Sequence, residues 1–320
     1  MRILDSVIGH SDTIERILES FESGRPGQTF LFVGASGIGK KLIATGLAQA
    51  LLCEKSRRAC GKCGSCLRVA SGHHEAYMLV EPDGQHIKID QAREIINKLS
   101  FKSMGENRVI LMDEAQALNP QAANSLLKIL EEPPAGTFFF LVAPTQAGLL
   151  PTIRSRSRIV HFKPLLESQI AQKEKSPAWM IKACGGSFEK LKTLQDGPEQ
   201  EVRGKAIELM QLFLNDPAFL TNETWRVLFK DRSQAQRYFG YWVTFMRDAL
   251  FFLSSGQGQI VNLDQPALIK LLANKGSHQL LSLIGKCLKS EQAVAANQDG
   301  VLLLEKIWVT EKYAGANHVD

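Results

Sequence analysis

A glycine-rich segment near the start of the chain has the spacing of a phosphate-binding loop. It follows an apolar run at 29–33 and precedes a helix predicted from Lys40 to Leu52. In such a loop the glycines let backbone N–H groups approach phosphate oxygens, and the lysine at the helix start reaches the terminal phosphates. The pattern G-x-x-x-x-G-K therefore predicts a nucleotide site at Gly34, Gly37, Gly39 and Lys40.

The residue after this loop departs from the motif. A serine or threonine normally follows the lysine, and its hydroxyl ligates Mg²⁺. Lys41 stands in that place, and an ammonium group cannot ligate a cation. We therefore expect Lys41 to lie beside a bound ATP or ADP that is held without metal-assisted hydrolysis.

A second apolar run, 109–112, ends in the acidic pair Asp113 and Glu114. This pattern is typical of a Walker B motif, in which Asp113 would support Mg²⁺ and Glu114 would polarise the attacking water. An acidic pair after a strand is also common at the start of a helix. Its position downstream of a phosphate loop favours the Walker B interpretation.

Four of the six cysteines lie close together in the sequence, whereas Cys184 and Cys287 stand alone. Four thiolates complete the tetrahedral shell of a structural Zn²⁺ ion and leave no open position. An iron–sulfur cluster is the alternative, but the ferredoxin pattern places a fourth cysteine, followed by proline, after the triplet. Zinc is therefore the favoured metal, with the ligands Cys53, Cys60, Cys63 and Cys66.

The overall composition limits the class of protein. The chain has 320 residues, of which 44% are hydrophobic, enough for two or three packed domains. No run approaches the roughly 18 apolar residues of a membrane span, and the first residues lack the apolar stretch of a secretory signal. We therefore expect a cytoplasmic protein without membrane contact, in a compartment where crowded cysteines bind metal.

The net charge of +5 permits contact with nucleic acid without requiring it. The basic residues of the cysteine segment are Lys55, Arg57, Arg58, Lys62 and Arg68. A nucleic-acid-binding zinc module is therefore an alternative function, although a solvated basic surface is the simpler interpretation.

Short apolar strands alternate with helices up to about residue 165, which predicts an α/β fold with a parallel sheet covered by helices on both faces. The predicted strands are 29–33, 77–80, 108–112, 138–142 and 159–162. Helical periodicity dominates the rest of the chain. The predicted domains are an α/β domain at 1–164, which contains the cysteine module at 53–66, a small helical lid at 165–197 and an all-α domain at 198–320.

Local signals set the predicted ends of several helices. Asp90 is the predicted N-cap of a helix that ends near Leu99. Asn119 and Pro120 predict the N-cap and the first residue of another helix. The two prolines at 133–134 predict the end of that helix. A stripe at helical spacing predicts the core of a helix bundle and consists of Tyr238, Trp242, Phe245, Ala249 and Phe252.

Three features together resemble the AAA+ clamp-loader subunits of bacteria. The cysteine module lies between the phosphate-loop helix and the acidic strand end. Segment 122–134 resembles their signature helix, and 152–157 resembles their Ser-Arg-Cys motif with Ser157 in place of the cysteine. The resemblance covers residues 5–165 clearly and the helical remainder in outline. It implies an AAA+ domain, a lid and a collar in a five-subunit ring that uses ATP to place a sliding clamp on primed DNA.

Three departures from the ATPases of that family bear on the type of subunit. Lys41 removes the metal-binding hydroxyl, and Ala143 stands where the ATPases carry a sensor threonine, with Thr145 displaced from it. Similar ATPases carry an arginine near position 189 that reads the γ-phosphate, whereas Glu189 would repel that phosphate. Their joint loss favours the non-hydrolysing subunit of the DNA polymerase III ring, a non-catalytic part of a DNA-directed DNA polymerase. The alternative is a gamma-type subunit that binds and hydrolyses ATP.

The resemblance also implies a role for Arg156. In this family the arginine of the Ser-Arg motif points into the ATP site of a neighbouring subunit, where it neutralises charge on the γ-phosphate. Arg154 and Arg158 lie beside it in the sequence, so the identity of the inserting arginine stays open. Glu114 would then be a vestigial base. The implied partners are gamma or tau and delta subunits in a hetero-pentamer, with the sliding clamp and primed DNA.

Overall fold

The computed structural model describes residues 1–22, 27–101, 105–254 and 256–313. The chain forms two compact units. The first consists of Met1–Lys175 with Gly185–Lys190, and the second of Ser176–Cys184 with the chain from Leu191 onward. The finer division into 1–164, 165–197 and 198–320 stays a prediction.

The first unit contains a parallel sheet of five strands, as the alternation of strands and helices predicts. The strands are β1 Gly27–Val33, β2 Tyr77–Val80, β3 Arg108–Met112, β4 Thr137–Ala143 and β5 Arg158–His161. Their order across the sheet is β2-β3-β4-β1-β5, and every neighbouring pair is parallel. The predicted fold class is therefore confirmed.

Both faces of this sheet are covered, because its central strands carry apolar side chains in both directions. β4 is buried along its whole length. Phe30, Phe32 and Phe140 belong to the core on one face, whereas Leu31 and Leu141 belong to the core on the other. Side chains alternate between faces along a strand, so a continuous apolar run is what a sheet with two cores requires.

Seven helices in the described part of the first unit surround the sheet. They are α1 Ser11–Glu22, α2 Lys40–Leu51, α3 Gly64–Ala70, α4 Ile89–Ser100, α5 Pro120–Glu131, α6 Pro151–Ser155 and α7 Glu167–Lys173. The predicted start of α5 is confirmed, since the Asn119 side chain accepts the Ala122 N–H at 2.7 Å. The predicted cap of α4 is wrong, because Lys88 is its N-cap. Asp90 lies in the first turn, where the helix dipole still favours a carboxylate.

The second unit is helical throughout its described residues, apart from connections. Its helices are α8 Ala178–Ala183, α9 Phe188–Gln195, which begins in the first unit, α10 Gly197–Asn215, α11 Glu223–Lys230, α12 Arg232–Leu253, α13 Pro266–Ala273, α14 Gly276–Ala295 and α15 Gly300–Tyr313. α12 lies at the centre, with Tyr238, Trp242, Phe245 and Ala249 buried and Phe252 half-buried. The predicted bundle core is therefore confirmed. No helix among the described residues combines the length and apolar character that crossing a membrane requires.

A fully buried carboxylate holds the connection after α12. One oxygen of Asp248 accepts the backbone N–H groups of Val261 and Asn262 at 3.0 and 2.7 Å, and the Asn262 side-chain amide at 2.8 Å. The other oxygen accepts from the Arg247 guanidinium at 3.0 Å. Loss of this carboxylate would leave several buried donors without an acceptor, which is costlier than losing an exposed hydrogen bond.

Asp248→Ala is therefore expected to destabilise the second unit by about 3 kcal/mol. Asp231→Ala, which removes the exposed N-cap of the same helix, is the matched control and should cost only about 1 kcal/mol. Urea unfolding followed by tryptophan fluorescence measures both, because all four tryptophans lie in this unit. Equal losses for the two variants would contradict the structural role assigned to Asp248.

Candidate functional site

The phosphate loop connects the carboxyl end of β1 to the start of α2. Gly37 and Gly39 have φ angles of +74° and +96°, a conformation that side chains other than glycine rarely adopt. Lys40 is buried, and its ammonium donates to the carbonyl oxygens of Gly34 and Ala35 at 2.6 Å each. Burial lowers the pKa of Lys40, although the charges of Asp113 and Glu189 oppose this shift. The loop thus has the shape of a phosphate cradle and holds its lysine against its own backbone.

Residues 185–190 pack directly on this loop. The backbone N–H of Phe188 donates to the carbonyl oxygen of Gly37 at 3.0 Å. A Cβ atom added to Gly37 would lie 2.3 Å from the Ser187 hydroxyl and 2.5 Å from the Glu189 Cβ. An acidic side chain therefore lies beside the loop, where it would repel the phosphates of a nucleotide.

Lys41 reaches across the carboxyl edge of the sheet to two acids. Its ammonium lies 2.5 Å from Oε1 of Glu81, which follows β2, and 3.3 Å from Oδ2 of Asp113, which follows β3. Burial disfavours the charged amine, but the hydrogen bond with Glu81 and the charge of Asp113 outweigh it and raise the pKa of Lys41. The ammonium therefore supplies the positive charge that Mg²⁺ would bring to Asp113 in a working site.

The remaining predicted residues lie at the same edge of the sheet. Glu114 is exposed, with a φ of +49°, and its backbone N–H donates to the Asp113 carboxylate at 3.1 Å. Ala143 ends β4 and is buried, with its carbonyl oxygen 3.4 Å from the Gly34 nitrogen. Thr145 is exposed. A methyl group at Ala143 cannot hydrogen-bond to a nucleotide or to a water.

Arg156 lies at the opposite edge of the sheet, between α6 and β5. In the pairing of β1 with β5, Phe30 lies opposite Arg158 and Val33 opposite His161. The loop follows the end of β1, whereas Arg156 precedes the start of β5. The two sites are therefore separated by at least three strand steps, about 10 Å. The Arg156 guanidinium is paired with Glu131 and so lies away from the phosphate loop of its own chain.

The four predicted metal ligands come together in one cluster. All four Sγ atoms lie within 4.8 Å of one another, and the pairs Cys53–Cys63 and Cys60–Cys66 are 3.9 Å apart. Tetrahedral Zn–S bonds of about 2.3 Å place sulfur atoms about 3.8 Å apart. The cluster therefore has the donor set and the dimensions of a closed metal site, and all six cysteines of the chain are free thiols.

Backbone N–H groups surround these sulfur atoms. The Cys60 N–H points at the Cys53 sulfur at 3.3 Å, and the Cys63 N–H at the Cys60 sulfur at 3.3 Å. Hydrogen bonds from the backbone of Lys62 and Cys63 lower the pKa of Cys60 to about 6. The backbone thus favours the thiolate of Cys60, which is the form that binds metal, whereas burial raises the pKa of Cys66 to about 12.

Two residues of these sites were not predicted from the sequence. Glu81 directly follows an apolar strand, and carboxyl ends of parallel strands meet at one edge of a sheet, so a signal existed for it. Gln49 is fully buried in α2, where its side chain accepts the Ile3 N–H at 2.9 Å and donates to the Cys66 carbonyl at 3.0 Å. A glutamine within an apolar helix gives no such signal, although this one joins the cysteine module to the core.

The loop after β1 and the acidic pair after β3, on one parallel sheet, define the first unit as a P-loop domain of the AAA+ class. The family described as "DNA polymerase III, delta subunit" matches residues 9–166. A DNA polymerase III subunit delta' from Pseudomonas aeruginosa is 39% identical over 132 residues, which is 40% of each chain. The delta' subunit of Escherichia coli is 28% identical over 84% of this chain and 83% of its own.

The chain is therefore similar to DNA polymerase III delta' subunits, over its α/β unit in the family match and over most of its length in the Escherichia coli relative. Among solved structures, a DNA polymerase III gamma subunit-related protein from Thermotoga maritima is 17% identical to it. The structural superposition of the two proteins has a TM-score of 0.44 and covers 93% of this chain and 97% of the Thermotoga maritima chain.

The close contact between Gly37 and residues 187–189 makes a specific prediction. Gly37→Ala is expected to destabilise the covered loop by about 1–3 kcal/mol more than Gly39→Ala, because a Cβ at Gly39 would meet nothing within 4 Å. Hydrogen exchange at the Phe188 amide should accelerate in the first variant relative to the second. Equal exchange in both would contradict the packing of 187–189 on the loop.

Proposed function

We propose that this chain is the delta' subunit of a DNA polymerase III clamp loader, that it does not hydrolyse ATP, and that it supplies Arg156 to the ATP site of a neighbouring subunit. The observation that carries the proposal is the ion triad of Lys41 with Glu81 and Asp113. Where an ATPase needs an oxygen ligand and Mg²⁺, this site carries an ammonium already paired with the available carboxylates.

Two further features of the site support the absence of hydrolysis. The side chain of Ala143 offers no hydrogen bond beside the loop, and Glu189 carries negative charge where a cation would be needed to stabilise the γ-phosphate. The backbone from Gly34 to Lys40 keeps the shape of a phosphate cradle. Binding of ATP or ADP without turnover is therefore the role proposed for that loop.

The role of Arg156 follows from its distance from the loop of its own chain. From the far edge of the sheet, this guanidinium would act on a nucleotide held by another subunit. Arginines that act in trans on phosphoryl transfer raise turnover by roughly 10³–10⁵-fold. The chain would thus contribute to a reaction for which it holds no working site.

The ring itself is proposed from the family. Gamma or tau and delta subunits are the expected neighbours in a hetero-pentamer that contacts the sliding clamp and primed DNA. Residues 198–320 are proposed as the collar through which these subunits associate. Residues 165–197 are proposed as the lid, of which 185–190 lie on the phosphate loop.

ATP hydrolysis tests this proposal in two settings. The purified chain should show no Mg²⁺-dependent hydrolysis, and a reconstituted complex carrying Arg156→Ala should lose DNA-stimulated ATPase activity at one site. Arg158→Ala, an exposed arginine at the same edge, is the control and should leave the activity unchanged. Robust hydrolysis by the purified chain would identify a gamma-type ATPase instead, and full activity of the Arg156→Ala complex would disprove the trans role.

We also infer that the cysteine cluster holds a structural Zn²⁺ ion. The four sulfur atoms would be the ligands, and their backbone N–H contacts would stabilise the thiolates. The module has short elements and a small core, so a bound metal would contribute directly to its folding. With four protein ligands, such an ion would have no open position for catalysis.

Elemental analysis of freshly reduced protein should therefore find about one zinc per chain. Cys66→Ser is expected to lose the metal and to lower the melting temperature, because the remaining ligands cannot close the shell. Cys184→Ser replaces an equally buried cysteine outside the cluster and should keep the zinc. Iron in the purified protein, or the absence of any metal, would overturn the assignment.

A further inference from the structure

The guanidinium of Arg156 is held along one side only. Its Nε donates to Oε2 of Glu131 at 2.8 Å, and its Nη1 donates to the carbonyl oxygen of Thr152 at 3.1 Å. The Ser155 hydroxyl lies 3.5 Å from Nη1. These contacts use Nε and Nη1, and none of them engages Nη2, which can therefore donate to an oxygen arriving from outside the domain.

Both groups that hold the guanidinium are fixed by buried neighbours. Glu131 is the last residue of α5, and the carbonyl oxygen of the preceding Leu130 accepts from the buried Thr29 hydroxyl of β1 at 3.0 Å. On the other side, the fully buried Ile153 anchors α6, and its carbonyl accepts the Arg156 N–H at 3.2 Å. Glu131 and Arg156 are thus held by elements packed on the core, which is what a precisely oriented functional group requires.

The contact with Glu131 also distinguishes Arg156 from its neighbours. Of the described arginines at 154, 156 and 158, Arg156 is the one for which the structure gives an ion pair with an acid. Arg158 is exposed, with its guanidinium 5.7 Å from the centre of the Phe30 ring. The Arg156 side chain is 28% exposed and that of Glu131 54%. A pair as accessible as this contributes little to stability, so its consequence is orientation.

We propose that Glu131 is a positioning residue, which holds Arg156 so that Nη2 and the outer N–H of Nη1 face the γ-phosphate in a neighbouring site. This inference rests on the proposed function, because it gives Glu131 a role only if Arg156 acts in trans. Glu131 touches neither nucleotide nor metal in this arrangement. It sets which arginine enters the neighbouring site and in which orientation.

The test uses the full reconstituted clamp loader, with ATPase activity measured on primed DNA. Glu131→Ala is expected to lower kcat about 10-fold, with the KM for ATP unchanged, because a misdirected guanidinium affects the transition state more than binding. Glu131→Gln should keep most of the activity, since its amide oxygen can still accept from Nε. Glu132→Ala, the adjacent exposed acid, is the matched control and should behave as the wild type.

A double-mutant cycle separates positioning from a structural role. Glu131→Ala combined with Arg156→Ala should be no slower than Arg156→Ala alone, because both changes remove the same interaction. A further loss in the double variant, or wild-type or raised activity of Glu131→Ala, would overturn the inference while leaving the role of Arg156 intact. Wild-type activity of Arg156→Ala would instead overturn the proposed function on which the inference rests.

Discussion

One ammonium group shared by two carboxylates determines the charge beside the phosphate loop. Glu81 and Asp113 follow neighbouring parallel strands, so the sheet brings two negative charges to the same edge and a cation must neutralise them. In a working P-loop site that cation is Mg²⁺, which enters with the nucleotide. Here Lys41 provides one positive charge from within the chain, which offsets part of the negative charge of the two carboxylates without metal.

The parallel sheet also separates two parts of the chain, the phosphate loop and Arg156. Its carboxyl edge carries the covered phosphate loop, and its amino edge carries Arg156. Because all strands run in one direction, these edges cannot approach each other. In this chain the covered loop and Arg156 therefore lie at opposite edges of one sheet, which is the arrangement on which the proposed action in trans depends.

The cysteine module depends on the domain for its position. It has no sizeable core of its own, and two of its cysteines are buried against the same apolar cluster that includes α2 and β1. Gln49 joins the module to α2 through a buried amide, which accepts from one segment and donates to another. A buried side chain of this kind is favourable only when both its donor and its acceptor are satisfied. The module is therefore an extension of the α/β core.

Local patterns in the sequence determined much of this protein. The five strands, the loop at Gly34–Lys40, the start of α5 and the aromatic stripe of α12 each follow from spacing or from capping chemistry over a few residues. The same information placed the four cysteines within reach of one another. The predicted cap at Asp90 was wrong because an acid in the first turn and an acid at the cap carry nearly the same local signal.

Tertiary structure alone decided which distant groups meet. Glu81 and Asp113 share Lys41 only because β2 and β3 are neighbours, and Arg156 meets Glu131 only because α5 and α6 pack together. The contact of Gly37 with Phe188 likewise joins residues far apart in the chain. The order of strands in a sheet is set by the packing of whole helices and strands, which short-range spacing does not encode. The sequence therefore specified the chemical groups, and the fold determined which of them meet at the carboxyl edge of the sheet and which one lies at the amino edge.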